Sequence, residues 1–85
     1  MSKMTAKEMF EVLGYEQTIN SDNLIEYKDD SYGYGDYKYV VFHHFWKEYL
    51  VGYYDGYETK TRPRSKVSIE EHEAITKQMK ELGWI

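Results

Sequence analysis

Apolar positions recur with two different periods along the chain, and the change of period divides it into three regions. At both ends the apolar residues are spaced by three and four, which is typical of an amphipathic helix. In the middle, short stretches of aromatic and β-branched residues predict strands. The helical stripes are Ala6, Met9, Phe10 and Leu13 near the start, and Ile69, His72, Ile75, Met79 and Leu82 near the end.

Both predicted helices carry the same start and stop signals. Thr5-Ala6-Lys7-Glu8 and Ser68-Ile69-Glu70-Glu71 are capping boxes, in which a hydroxyl and a glutamate each accept a backbone N–H. Gly14 and Gly83 can adopt the left-handed conformation that ends a helix. The predicted helices are residues 6–13 and 69–82.

Between the helices, the sequence predicts an antiparallel meander of three or four strands. Asp55-Gly56 favours a tight hairpin turn, whereas Trp46-Lys47 suits a looser turn or a bulge as well as a tight turn. The predicted strands are Leu24–Lys28, Tyr37–Phe45, Glu48–Tyr54 and a partial fourth, Tyr57–Arg62. The predicted fold class is therefore α+β: an N-terminal helix, this meander and a C-terminal helix packed on the sheet, in one domain of 85 residues.

A tight turn at Trp46-Lys47 would determine how the second and third predicted strands pair. Val40 would then lie opposite Tyr53, and Lys38 would lie opposite Asp55, which brings opposite charges together. Both faces of the resulting sheet are substantially apolar. Because two short helices cannot cover both faces, we expect some aromatic surface to remain for water or for a partner.

Tyrosine dominates the predicted sheet, since the chain has ten tyrosines and nine lie between Tyr27 and Tyr57. Tyrosine is large, rigid and amphipathic, and it is enriched at protein interfaces. A protein-binding surface is one interpretation, and ordinary sheet packing with the hydroxyls in water is the other. The candidate binding residues are Tyr32, Tyr34, Tyr37, Tyr39, Tyr54 and Tyr57.

Charge is unevenly distributed along the chain. The net charge is −4, yet residues 60–66 contain basic residues and no acidic ones. These residues could contact the phosphates of a nucleic acid, although the acidic remainder would repel them and the binding would be weak and salt-dependent. A solvated loop is the alternative. The basic residues are Lys60, Arg62, Arg64 and Lys66.

The sequence gives little reason to expect catalysis, a metal or a cofactor. It has no cysteine, no phosphate-binding glycine loop and no nucleophile motif. His43 and His44 are adjacent on a strand and point to opposite faces, so they cannot share one metal, and we expect buried, hydrogen-bonded histidines instead. Residues 1–8 lack the apolar core of a signal peptide, so we expect a cytoplasmic protein with no membrane partner.

The two helical segments resemble small proteins encoded by phages and prophages of Firmicutes. The resemblance covers roughly a third of the chain, residues 5–15 and 69–84, and it supplies no catalytic residues. Such accessory proteins often act stoichiometrically on host components, including defence nucleases such as CRISPR nucleases. The resemblance therefore implies a non-enzymatic protein that binds a host or phage protein. Nucleic-acid binding and a symmetric homodimer are the alternatives.

Overall fold

Two helices and four strands make up the described part of the chain, which comprises residues 4–31, 33, 35–54 and 66–85 of a computed structural model. The strands form one antiparallel sheet in the order β1-β2-β3-β4. The predicted α+β class is therefore confirmed. The elements are α1 (Ala6–Val12), β1 (Glu16–Asn20), β2 (Leu24–Asp29), β3 (Tyr37–His43), β4 (Glu48–Tyr54) and α2 (Ile69–Glu81).

Both helices begin at the predicted capping boxes. The Thr5 hydroxyl accepts the Glu8 amide at 3.2 Å, and the Ser68 hydroxyl accepts the Glu71 amide at 3.0 Å. In each box the glutamate carboxylate accepts the amide of the capping residue in return. These bonds satisfy amides that have no partner inside the helix, which explains why the helices begin where they do.

The helix ends are also as predicted. Gly14 has a φ of 100°, and the Tyr15 amide donates to the Phe10 carbonyl at 2.9 Å. The Tyr15 ring packs edge-on against the Phe10 ring, with centroids 5.5 Å apart. This hydrogen bond and contact define the helix-ending motif that a glycine makes accessible. At the end of α2 the Trp84 amide donates to the Met79 carbonyl in the same way.

The first strand was not predicted. β1 contains one apolar residue, Ile19, and most of its positions are exposed, so it has no alternating pattern to detect. It pairs with β2, placing Glu16 opposite Lys28 and Ile19 opposite Glu26, with an irregularity between Gln17 and Ile19. The predicted turn at Asp55-Gly56 and the predicted strand Tyr57–Arg62 lie outside the described residues.

The predicted pairing of β3 with β4 is wrong by two residues. Val40 lies opposite Val51 rather than Tyr53. The connection is a four-residue turn, residues 44–47, in which Lys47 has a φ of 53°. A tight two-residue turn would require left-handed conformations at both Trp46 and Lys47, whereas the four-residue turn needs one at Lys47 but not at Trp46. Because the shift is even, every side chain stays on its predicted face.

The core lies between the two helices and one face of the sheet. The Phe10 ring of α1 stacks on the Tyr27 ring of β2, with centroids 4.0 Å apart and planes inclined by 17°. Trp84, after α2, packs against the Phe42 ring of β3. The buried residues of this cluster are Phe10, Tyr15, Ile25, Tyr27, Val40, Phe42, Ala74 and Ile75.

The predicted apolar stripe of α2 is partly wrong, because Ile69 is 72% exposed and His72 is also exposed. Two polar residues face the sheet instead. Gln78 is buried, and its side-chain oxygen accepts the Tyr27 hydroxyl at 2.5 Å. Glu71 reaches Lys38 on β3. Because Gln78 and Glu71 each have a polar partner in the interior, they can face the sheet. The buried face of α2 is therefore rotated relative to its predicted apolar stripe.

Lys38 and Glu71 form a buried ion pair between β3 and α2, with nitrogen and oxygen 3.0 Å apart. Lys38 was predicted to lie opposite Asp55; it lies opposite Tyr53 and donates to Glu71 and to the Lys66 carbonyl. The ammonium therefore holds the start of α2 against the sheet. Here the charge pattern along the strand misled the register prediction, since the actual counter-charge comes from a helix.

Candidate functional site

The sheet face opposite the helices, which we call the open face, carries no helix in the described part of the chain. Val41 illustrates this arrangement: it is buried, but it does not belong to the core cluster. The pairing registers place one set of alternating side chains on this face. They are Glu16, Ile19, Leu24, Glu26, Lys28, Tyr37, Tyr39, Val41, His43, Glu48, Leu50, Gly52 and Tyr54.

Three of the predicted binding tyrosines form one cluster on the open face. Tyr37 on β3 lies opposite Tyr54 on β4, and their rings stack with centroids 5.1 Å apart and planes inclined by 23°. The Tyr39 ring lies 5.9 Å from that of Tyr37. From β2, the Lys28 ammonium lies over the Tyr37 ring, 4.3 Å from its centroid. Such cation–π and stacking contacts fix the rings in defined positions.

Gly52 determines how the Tyr39 ring lies. The two residues are cross-strand partners, and a Cβ atom added to Gly52 would overlap the end of the Tyr39 ring. The tyrosine therefore lies flat across the backbone of β4, where the glycine leaves room for it. A glycine in a strand covered by a neighbouring aromatic ring is a known way to fix an aromatic position on a sheet.

The apolar part of the open face is accessible at its β4 side. Leu50 is 53% exposed and Tyr54 is 51% exposed. Beyond Leu50, the turn between β3 and β4 presents two further aromatic residues: Phe45 is 80% exposed and Trp46 is 67% exposed. Their rings meet edge to face with centroids 4.8 Å apart. Large aromatic residues are the commonest anchors of protein interfaces.

Sequence reasoning missed Phe45 and Trp46 as candidate binding residues, because Phe45 was assigned to a strand and Trp46 to a turn. The signal that could have identified them was their position in the turn. Two large aromatic residues in a hairpin turn have no sheet neighbours to cover them, so exposure follows once the turn is placed correctly.

Charged residues of the open face lie mainly on β1 and β2. Glu16 and Glu26 flank Lys28, since Glu16 is its cross-strand partner and Glu26 is two residues earlier on the same face. Glu48 is the first residue of β4. Among the described residues, none of these glutamates forms an ion pair, because the Lys28 ammonium lies over a ring instead.

The other predicted site residues are placed only in part. Tyr32, Tyr34 and Tyr57 lie outside the described residues, as do Lys60, Arg62 and Arg64. Lys66 is exposed just before α2, and its backbone carbonyl accepts a hydrogen bond from Lys38. The tyrosine cluster is thus described for Tyr37, Tyr39 and Tyr54, and the basic segment stays a prediction from sequence.

The histidines do not come together. His43 is the last residue of β3 and His44 is the first residue of the turn, and the Nε2 atom of His44 is buried without a hydrogen-bond partner among the described residues. His72 is exposed on α2, so the expected buried and hydrogen-bonded histidine is not found there. The described residues contain no group of three or more histidines and carboxylates placed to hold a metal ion.

No protein-family model matches the chain, and no curated protein or solved structure is significantly similar to it. None of the helices formed by residues 4–31 and 66–85 has the length and apolar character needed to cross a membrane.

Proposed function

We propose that this protein is a non-enzymatic binding module that attaches to a partner protein through its open face. The observation that carries the proposal is the position of Tyr37, Tyr39 and Tyr54 in one ordered cluster on the helix-free side of the sheet. An apolar sheet face is ordinarily buried against another layer of secondary structure. Here both helices of the described chain lie on the other side, so a partner supplies that layer.

The cluster has the physical properties of an interface centre. Its rings are held by stacking, by Lys28 and by the Gly52 gap, so little side-chain entropy remains to be lost on binding. Burial of Leu50 and of the exposed side of Tyr54 in an interface would remove apolar surface from contact with water, which favours binding. The exposed Phe45–Trp46 pair, in the turn that joins β3 to β4, supplies two further aromatic candidates for contact with a partner.

The proposed partner is a host or phage protein, bound stoichiometrically. This part of the proposal rests on the resemblance of the helical segments to phage and prophage proteins of Firmicutes. Inhibition of a host defence nuclease, such as a CRISPR nuclease, is the form of this activity that we propose to test first.

The test is affinity capture from a Gram-positive host lysate, with and without nuclease treatment, using the intact chain and two double variants. Leu50→Ser/Tyr54→Ser removes apolar surface from the open face. Val12→Ser/Ile69→Ser removes apolar side chains from the helices that are more exposed than Leu50 and Tyr54, since Val12 is 74% and Ile69 is 72% exposed. Circular dichroism is the check that both variants are folded.

We expect a stoichiometric protein that survives nuclease treatment, is lost with the open-face variant and is retained with the helix variant. Capture that is unaffected by Leu50→Ser/Tyr54→Ser in a folded protein would refute the proposal. Recovery only in the untreated lysate would favour the alternative, in which Lys60, Arg62, Arg64 and Lys66 bind nucleic acid.

A further inference from the structure

The open face carries most of its charges on one side and most of its aromatic side chains on the other, although Ile19 and Leu24 lie on the charged side and Glu48 lies on β4. Glu16, Glu26 and Lys28 lie on β1 and β2, whereas β3 and β4 present the tyrosine cluster, Val41 and Leu50. Neighbouring strands are about 4.8 Å apart, so the centres of these two strips are about 10 Å apart. That spacing is close to the diameter of an α-helix, about 10 Å. A single amphipathic segment can therefore contact both strips together.

The charge of the open face is negative. It carries the carboxylates of Glu16, Glu26 and Glu48 and the one ammonium of Lys28, which is a net charge of −2. Lys28 lies over the Tyr37 ring and forms no ion pair within the described residues. One Glu26 oxygen accepts the Thr18 hydroxyl at 2.8 Å, which orients this carboxylate without neutralising it. Lys28 is thus the one cation of this acidic strip among the described residues, and it forms an ion pair with neither glutamate.

We propose that the open face recognises a basic amphipathic segment of its partner protein, whose apolar side packs on the tyrosine cluster and Leu50 while its arginine or lysine residues face Glu16 and Glu26. This inference rests on the proposed binding function and adds the chemistry of the partner. Arginine suits the site in two ways, because its planar guanidinium pairs with carboxylates and also stacks on aromatic rings.

The same charges disfavour the other two occupants. A second copy of this chain, placed face to face, would bring two faces of net charge −2 together, with six carboxylates and two ammonium groups between them. A nucleic acid would bring its phosphates against Glu16 and Glu26. A cationic protein segment is the occupant whose charge matches this face.

The test measures peptide binding by fluorescence anisotropy with the purified full chain. The probe is a labelled peptide of about 18 residues with a leucine face and an arginine flank along one helical side. A matched peptide carries citrulline, which keeps the shape of arginine without its charge. Two double variants of the protein have the same change of net charge: Glu16→Gln/Glu26→Gln on the open face and Glu70→Gln/Glu73→Gln on α2.

We expect the arginine peptide to bind at least about tenfold more tightly than the citrulline peptide. Glu16→Gln/Glu26→Gln should weaken the arginine peptide about five- to tenfold, the effect of two partly exposed ion pairs. The variant with changes on α2 should leave its affinity unchanged.

Equal affinity for the two peptides, or equal losses in the two glutamine variants, would overturn the inference. The inference would also be overturned if a single-stranded RNA bound more tightly than the arginine peptide at about 50 mM salt. A doubled mass in light scattering that Leu50→Ser/Tyr54→Ser abolishes would overturn it as well. In the lysate capture, loss with Leu50→Ser/Tyr54→Ser but not with Glu16→Gln/Glu26→Gln would overturn this inference alone. Capture that is insensitive to both variants would overturn the proposed function as well.

Discussion

The buried ion pair between Lys38 and Glu71 gives the most direct test of how the fold is held together. We consider the substitution Lys38→Met, which keeps most of the side-chain volume and removes the charge. The Lys38 side chain is 7% exposed and that of Glu71 is 14% exposed, so water cannot replace the ammonium. The Glu71 carboxylate would keep two donors, the Ser68 amide at 2.8 Å and the Tyr15 hydroxyl at 2.5 Å.

Removing one partner of a buried ion pair typically costs about 3–5 kcal/mol. Because Glu71 keeps two of its donors, we expect the lower end, about 3 kcal/mol. A domain of this size has a free energy of unfolding of roughly 4–13 kcal/mol, so this loss is a large fraction of the total. The melting temperature should fall by about 12–24 °C.

The control is Glu71→Gln, alone and combined with Lys38→Met. Glutamine still completes the capping box with Ser68, so the helix start is preserved while the charge is removed. Urea unfolding of the four proteins forms a double-mutant cycle. We expect the double variant to be about 2 kcal/mol more stable than Lys38→Met alone, because no unpaired charge remains buried. A double variant no more stable than Lys38→Met would refute this account.

Three further predictions follow from individual contacts. Burial alone would raise the pKa of Glu71, but hydrogen bonds from Tyr15, the Ser68 amide and Lys38 outweigh it and lower the pKa below its ordinary 4.5. The ionised Glu71 therefore contributes to the free energy of unfolding fully above pH 4.5, and this contribution is lost as the pH falls through the pKa of Glu71 in the folded protein. The urea midpoint should therefore fall on acidification less steeply in Glu71→Gln than in the unmodified protein, and parallel curves would contradict this. Gly52→Ala should displace the Tyr39 ring while changing stability by less than about 1 kcal/mol, which NMR shifts of the ring protons and a melting curve would check; unchanged shifts would contradict the overlap. Phe10→Ala should cost about 3–5 kcal/mol, and circular dichroism with urea would reveal it; a loss below about 1 kcal/mol would mean that the stack on Tyr27 contributes little.

Local signals predicted the helices well because each boundary depends on residues next to one another. Thr5 and Glu8 lie three residues apart and complete their hydrogen bonds without help from the rest of the chain. Gly14 acts in the same way at the other end of α1. Such signals survive any tertiary arrangement, which is why the bounds of both helices were predicted to within one or two residues.

The errors arose where distant residues decide the outcome. β1 is held by pairing with β2 and has almost no apolar pattern of its own. The register between β3 and β4 depends on the length of the turn that joins them. The residues around Trp46 contain no strong signal for one turn length. The buried face of α2 depends on Lys38 and Tyr27, which lie far away in sequence and turn two polar residues inward.

Sequence reasoning predicted some of the residues of the candidate site but not their arrangement. Sequence reasoning identified Tyr37, Tyr39 and Tyr54 as candidate binding residues, and the described structure places them in one cluster. It could not show which face the helices cover, since both faces are apolar. The acidic strip beside the cluster was also not predicted, because β1 contributes Glu16 and β1 itself was missed.

The contacts between α1 and α2 join segments that lie far apart in sequence, so the two helices are synthesised at different times. The buried Ala6 amide donates to the Glu81 carboxylate at 2.9 Å, a contact between residues 75 positions apart. α1 also packs against α2 beneath the sheet. α1 therefore leaves the ribosome well before its partner α2, and the contacts between them form only after α2 has been synthesised.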